Sequence, residues 1–361
     1  MSPVAVPIEI LFWVAVGLFG LSLVAIAYTL IYRLVENRRE ARAAPRIEQA
    51  RKQMLMAIAL GPQELEPITL PSERRVAEGI VLRASRILNT VTGEGRANLV
   101  QFLGRSGFPQ WAEQRLTSRR SISRAIACEI LGSMRVTGSA PQVRRHITDH
   151  DADVRQAAVR ATGRLRDVSA VPALLASLHQ TRGNSPIVVA TALLAIGPSG
   201  EQPLSNALSD SDHTTRRVAA QVIGLLNLFD ARDDLVRALK AEPDPWTKTQ
   251  LITALGRVGG PDVRGPLRFC LSQEPMVRAA AVRALVSLDD SATLGYLQKE
   301  LWDPSPGVCR AAAESLASSG PAGRSVLEGL PAGSSAAAYA EEALARVAPA
   351  GSSEDGWGVD P

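Results

Sequence analysis

One pattern returns about every 31 residues along most of this chain, and a period of that length admits few architectures. Its clearest copy is DADVRQAAVRATGRL at 151–165: an acidic turn, an apolar residue followed by Arg, small residues on one helical face, then Gly. The basic position is filled by Arg124 in SISRAIACEILGSM, Arg155 in the reference copy and Arg216 in HTTRRVAAQVIGLL. It returns as Lys248 in PWTKTQLITALGRV, Arg278 in EPMVRAAAVRALVSL and Arg310 in PGVCRAAAESLASSG. A degenerate copy, PIVVATALLAIG, carries Val189 there, so successive separations are 31, 34, 27, 32, 30 and 32 residues.

Each copy is followed by a break and a second leucine-bearing stretch, such as AVPALLASLHQ (170–180), ARDDLVRALKA (231–241) and SATLGYLQKELW (291–302). Leu174/Leu178, Leu204/Leu208, Leu235/Leu239, Leu267/Leu271 and Leu297/Leu301 give each stretch an i, i+4 apolar stripe. Pro172, Pro203 and Pro266 fall in first turns, where a missing N–H costs nothing. Two helices of about ten residues cannot enclose a core alone, but stacked pairs can, because each covers its neighbour's apolar face. Ala158, Ala161, Ala219, Ala254, Ala281, Ala284 and Ala313 permit close approach between such helices. Gly132, Gly163, Gly197, Gly224 and Gly256 fall near the ends of the first helices, where a left-handed or closely packed backbone is convenient. Composition agrees with an all-α chain: 46% of residues are apolar but only 4% aromatic, with Ala and Leu carrying the difference.

The motif D-x-x-V-R-x-x-A, then A-x-G-x-L, then P-x-L and a further Leu resembles HEAT repeats, in the short variety also found in phycobilisome-lyase-like proteins. The resemblance covers approximately 119–347 and implies a right-handed α-solenoid with a curved inner surface, used for binding far more often than for catalysis. It also implies that the recurring basic residue meets an acidic turn residue of its own or a neighbouring unit, forming a ladder. Asp151 and Asp153 precede Arg155, Asp210 and Asp212 precede Arg216, Asp244 precedes Lys248, Glu274 precedes Arg278 and Asp303 precedes Arg310. Residues 73–118 read as irregular helical units at the start of the stack, 119–348 as the repeats, and SAAAYAEEALARVA (335–348) as a terminal cap with Tyr339 and Leu344 inward.

Ahead of the repeats, 23 residues from Ile10 to Tyr32 contain no charge. As a helix they reach ~35 Å, enough to cross a hydrocarbon core of ~30 Å with some tilt. Trp13, Tyr28 and Tyr32 suit interfacial belts. Residues 2–9 carry no Lys or Arg, as a cleaved signal peptide would require. Arg33, Arg38, Arg39, Arg42, Arg46, Arg51 and Lys52 all follow the apolar run, which predicts an N-terminus (1–9) outside and the body in the cytoplasm of a single-pass inner (plasma) membrane protein. The stretch 33–60 reads as a basic juxtamembrane helix with Pro45 as its one break, and 61–72 as a Pro-rich linker.

Charge follows the same axis. The net +4 divides into +4 over 33–60, +6 over 61–170 and −5 over 171–361, with Glu9 alone before them. A gradient that is basic beside the apolar run fits an anionic leaflet better than a nucleic-acid track. Cys128, Cys270 and Cys309 lie far apart, which excludes a disulfide framework and a thiolate metal site.

Chemistry-bearing clusters are few. In HITDHDAD, His146 and His150 stand four apart with Asp149, Asp151 and Asp153 beside them, a metal-ligand spacing that equally places helix N-caps at a repeat turn. His179 and His213 are isolated. Trp111, Trp246 and Trp302 mark helix ends, and Trp357 in the acidic, Gly-rich tail 349–361 is a candidate docking residue. The expectation is a membrane-tethered scaffold or adaptor for a protein partner such as an integral membrane enzyme, with no cofactor, small-molecule substrate or nucleic acid. The runner-up is an enzyme or metal-binding protein of the phycobilisome-lyase-like HEAT type.

Overall fold

The fold is seen in a computed structural model that describes residues 8–63, 65–179, 183–288 and 291–347. Among them every regular element is helical. The chain divides into two compact units, one of residues up to Ser118 with Glu129–Met134, the other of Arg119–Cys128 with residues from Arg135 onward.

The first unit contains α1 (Ile8–Leu60), α2 (Arg74–Thr90), α3 (Gly93–Arg105) and α4 (Phe108–Leu116). The expected break at Pro45 does not occur, and α1 runs through it. An internal proline forfeits one backbone hydrogen bond, and the turns after it are held by packing instead. Ala50, Met54 and Ala57 are buried, and α1 lies against α2 and α3. The last turns of the basic stretch 33–60 are therefore part of a folded unit rather than a solvated stem. Arg46 pairs with Glu73 and Arg51 with Glu48, so two of the seven basic residues have carboxylate partners within the protein. Trp13, Tyr32, Arg33, Arg38, Arg39 and Arg42 lie on α1, but their side chains fall outside the described residues. The linker 61–72 is pinned as well: Ser106 Oγ accepts from the Ile68 N–H at 3.0 Å, and Arg105 donates to the Pro62 carbonyl.

Gly17–Leu30 of α1 is an apolar stretch whose residues are all exposed, Phe19 by 68%. Among the described residues no single helix is long and apolar enough to cross a membrane.

The repeats follow as helix pairs: α5 (Ser121–Met134) with α6 (Ala140–Arg144), α7 (Ala152–Leu165) with α8 (Val171–Ala176), and α9 (Pro186–Ile196) with α10 (Glu201–Ala207). Next come α11 (His213–Leu226) with α12 (Arg232–Ala241), α13 (Pro245–Val258) with α14 (Arg264–Cys270), α15 (Pro275–Val286) with α16 (Ser291–Glu300), and α17 (Pro306–Ser318) with α18 (Gly320–Glu328). The closing helix is α19 (Ser335–Val347). In the second unit the first helices from α7 to α19 stack side by side, and second helices pack against the first helix that follows, as α12 does on α13 and α14 on α15. Leu174, Leu204, Leu235, Leu267 and Leu297 are buried, as their spacing required. Ala336, Ala340 and Ala343 seat α19, with Tyr339 and Leu344 partly buried beside them.

Three glycines set the register. A Cβ on Gly163 would lie 2.8 Å from Ala192 Cα, one on Gly224 2.8 Å from Ala254 Cα, and one on Gly256 2.9 Å from Ala284 Cβ. These are contacts of helix on helix, not chain reversals. They align Ala192, Ala254 and Ala284, and with them they align Pro186, not Val189, with Arg155 and Arg216. Helix α9 has 11 residues against 14 in α7 and α11, so the degenerate copy has lost its first turn, and Val189 is simply buried core.

Candidate functional site

The recurring basic residue occupies the fourth helical position of its first helix. Asp151, Asp212 and Asp244 cap three of these helices by accepting backbone N–H groups. Two residues before each cap stands a second acceptor. Asp149, Asp210, Glu242 and Asp303 each take the N–H of the residue two positions on. At Asp149, Glu242 and Asp303 the basic residue of the preceding unit arrives on that second acceptor.

Arg124 donates Nε and Nη2 to the two Asp149 oxygens at 2.8 and 2.7 Å, with both side chains only 7% exposed. Arg216 grips Glu242 in the same bidentate way at 2.7 Å, and Arg278 grips Asp303 at 2.8 Å. The partner is thus 25 or 26 residues downstream, in the turn that opens the next first helix. The Nη1 of each Arg holds carbonyls of its own turn: Arg155 those of Asp149 and His150, Arg216 those of Asp210 and Ser211, Arg278 that of Gln273. Arg155, an expected rung, meets only those carbonyls among the described residues, and its Nε is buried without an acceptor. Of the acidic residues just upstream of each basic position, Asp151, Asp212 and Asp244 serve as caps and Asp303 as the acceptor for the unit before.

Burial alone would raise the Asp149 carboxyl. The Arg124 guanidinium, the Asp151 N–H and His146 overcome it and hold the group well below the ordinary carboxylate range. Asp303 is likewise lowered against its burial by Arg278 and the Ser305 N–H.

Arg310 is not a rung of this ladder. The fourth position of α17 is Cys309, whose thiol donates to the Asp303 carbonyl, while Arg310 lies 3.5 Å from Glu342 and over the Tyr339 ring. With Pro186 and Cys309 in place of Val189 and Arg310, the separations become 31, 31, 30, 32, 30 and 31 residues. The even spacing was the signal that the eye, drawn to the nearest Arg, passes over.

Lys248 departs differently. Its Nζ lies 3.2 Å from Gln273 Oε1, so this rung joins a cation to a neutral amide. Two grooves flank it in succession. One, of about 480 Å³, is lined by Asp210, Arg216, Arg237 and Glu242 among others, two cations and two carboxylates. The next, of about 520 Å³, is lined by Leu239, Lys240, Lys248, Pro266, Phe269 and Gln273, with Gly265 and Cys270 completing it. It holds two cations and no carboxylate.

His146 and His150 converge on one carboxylate already committed to Arg124: His146 Nδ1 stands 3.1 Å from Asp149 Oδ2, and His150 Nδ1 3.2 Å from Asp149 Oδ1. Among the described residues no group of three or more His, Cys, Asp or Glu is placed to hold a metal ion. His179 is exposed, and His213 lies 3.6 Å from Asp212. The three cysteines are all buried and form no disulfide, and burial pushes the Cys270 thiol up to about 11. Trp111 is half-buried under Arg115, whereas Trp246 (66%), Phe269 (69%) and Trp302 (53%) stand exposed within the second unit. Trp357 lies outside the described residues.

Residues 94–197 and 201–274, together just under half of the chain, match the family model for HEAT repeats, starting earlier than the repeat read from the sequence. A HEAT repeat-containing taxis protein of Halobacterium salinarum is 33% identical over 130 residues, 36% of this chain and 29% of that protein, so the match spans under a third of the relative. Similar solved structures include an engineered protein (18% identity, TM-score 0.38, 84% of this chain and 95% of that one). The complex of CpcE and CpcF of phycocyanin lyase from Nostoc sp. PCC7120 is similar at 20% identity and a TM-score of 0.30, covering 66% of this chain and 94% of that one. The Kap95:Nup1 complex is similar at 13% identity and a TM-score of 0.46, covering 83% and 46%.

Proposed function

With HEAT repeats forming residues 94–197 and 201–274, we propose that the chain is a membrane-tethered scaffold whose repeat unit binds a protein partner at the cytoplasmic face. The observation that carries the tether is the surface of α1. Leu18, Phe19, Leu21, Leu23, Val24, Ile26 and Leu30 are all more than half exposed, on every side of the helix. An apolar rod with no protein cover must find another, and lipid tails supply one without leaving any backbone polar group unpaired. The uncharged run from Ile10 to Tyr32 gives the length, and the basic residues after it give the orientation.

The binding role draws on the repeat unit itself. Ladder pairs fix the turns of successive units relative to each other, and exposed Trp246, Phe269 and Trp302 project from that fixed frame. Aromatic side chains held rigidly on a scaffold are the usual anchors of protein interfaces. Tethering to the same membrane as an integral membrane enzyme raises the effective concentration, so modest contacts suffice.

The test has two arms. Alkaline washing of membranes should leave the full chain with lipid, and a reporter fused after Pro361 should be active only if it works in the cytoplasm. A photo-crosslinker at Phe269 should then join the anchored chain to one reproducible protein. Release of the chain by the wash, or activity of a periplasm-dependent reporter, overturns the tether. Absence of any crosslinked protein overturns the scaffold.

A further inference from the structure

One rung of the ladder crosses to the next unit and meets a neutral group there. Where Arg216 meets Glu242 and Arg278 meets Asp303, Lys248 meets the Gln273 amide oxygen. An amide oxygen accepts a hydrogen bond from the ammonium but contributes no negative charge to offset it. That ammonium lies in a groove of about 520 Å³ beside a second one, Lys240, with no carboxylate in the lining. The preceding groove has two carboxylates for its two cations. Gln273 in place of an acid accounts for one of those carboxylates, and the second groove has no acid in its lining where the first has Asp210.

The remainder of the lining is apolar. Leu239 is buried, Pro266 half-buried, and Phe269 presents its ring with 69% exposure. Two cations beside an aromatic wall match a ligand that brings negative charge and an apolar group a few ångström apart. Lys is suited to this, being a compact charge on a flexible stem that reorients to an incoming acceptor. A guanidinium already locked in a bidentate pair is not free to do so.

We infer that this groove, between α12 and α14, receives an acidic segment of the protein partner, its Asp or Glu carboxylate on Lys248 and Lys240 and its adjoining bulky apolar side chain on Phe269 and Pro266. The inference rests on the scaffold reading above and names the chemistry of its partner. Binding replaces the Gln273 oxygen on Lys248 by a carboxylate oxygen, so an ion pair stands where the ammonium met a neutral acceptor.

The experiment uses the full chain in detergent and fluorescein-labelled peptides of repeated Glu-Phe-Asp-Leu, with Gln-Phe-Asn-Leu repeats as the uncharged twin, read by fluorescence anisotropy. The acidic peptide should bind saturably and the twin at least tenfold more weakly. Lys248→Gln should weaken the acidic peptide at least tenfold. The pair Lys248→Arg with Gln273→Glu rebuilds an ordinary rung, so it should melt no lower than the parent yet lose the peptide to the same degree. No saturable binding, equal binding of the twin, or full binding by either variant overturns the assignment. Displacement of the peptide by inorganic phosphate as effectively as by unlabelled peptide also overturns it, since the groove would then be a bare anion site. Failure here is distinct from failure of the scaffold. A partner that still crosslinks to the Lys248→Gln chain removes only the groove, whereas loss of every crosslinked partner from the parent chain removes the scaffold.

Discussion

Replacing Arg278 by Ala removes a rung whose worth follows from its geometry. Two nitrogens of Arg278 reach Asp303 at 2.8 Å each, a third reaches the Gln273 carbonyl at 2.6 Å, and the side chains are 16% and 7% exposed. Without the guanidinium, Asp303 keeps the Ser305 N–H at 2.7 Å and its side-chain contact with Glu300, and the carboxylate is left nearly buried without a cation. Breaking a buried pair from one side costs ~3–5 kcal/mol, and the partial exposure of Arg278 places this pair at the lower end, about 3 kcal/mol. In a stack coupled only to nearest neighbours the loss falls on the junction of α15 with α17 rather than on the whole chain. Native-state hydrogen exchange of the full protein reads it directly: amides of α17 should exchange roughly a hundredfold faster, with α2 and α3 unchanged. Arg278→Met together with Asp303→Leu removes both charges and should recover most of the protection, leaving ~1 kcal/mol for the Ser305 N–H that loses its acceptor. A single variant whose α17 protection changes less than threefold, or a double variant as unprotected as the single, refutes the reasoning.

Other outcomes follow from the same contacts. Asp149 and Asp303 are held below the ordinary carboxylate range in the folded state, so their contribution is complete above about pH 4 and is lost as pH falls through the depressed values; exchange at the α5–α7 and α15–α17 junctions should rise with acid, and an acid-insensitive profile contradicts the pairing. Gly224→Ala drives a Cβ to 2.8 Å from the Ala254 backbone and should cost ~1–3 kcal/mol by thermal melting, whereas Gly104→Ala in α3 enters open space and should gain ~0.5–1 kcal/mol. Cys270, buried with its thiol pushed up to about 11, should resist maleimide in the native protein and react on unfolding.

Much of this architecture is legible in the chain. Periodicity alone gives helix pairs, and the leucine stripes give their buried faces, because both are local consequences of a 3.6-residue turn. The glycines were visible but their reason was not. A close-packed Gly163 and a left-handed Gly look alike in sequence, and only the neighbour, Ala192, tells them apart. The ladder follows the neighbouring-unit alternative, and the acids named beside each Arg are not its partners. A motif draws attention to acids adjacent to the Arg, whereas the backbone turns those acids onto helix N–H groups and brings the next unit's acid to the guanidinium, 25 or 26 residues away. Likewise Pro186 hides the missing turn of α9, since a proline at a helix start is ordinary and only the packing of Gly163 on Ala192 shows how far the start has moved. The Lys248 rung could have been found by comparing residue 273 with 149, 242 and 303 once the offset was known, since the signal is a Gln where the other three rungs have acids.

The shortened α9 has a mechanical meaning. Units joined one to the next behave as springs in series, and the extension of such a series under load is concentrated in its most compliant link. Pro186 sends no guanidinium across to Asp210, and a hollow of about 280 Å³ lined by Pro186, Ile187, Ala190, Arg217 and Gln250 opens beside the missing turn. A pull along the stack is therefore felt first at α9, and the pinned block from Arg216 to Asp303 that follows moves as one piece.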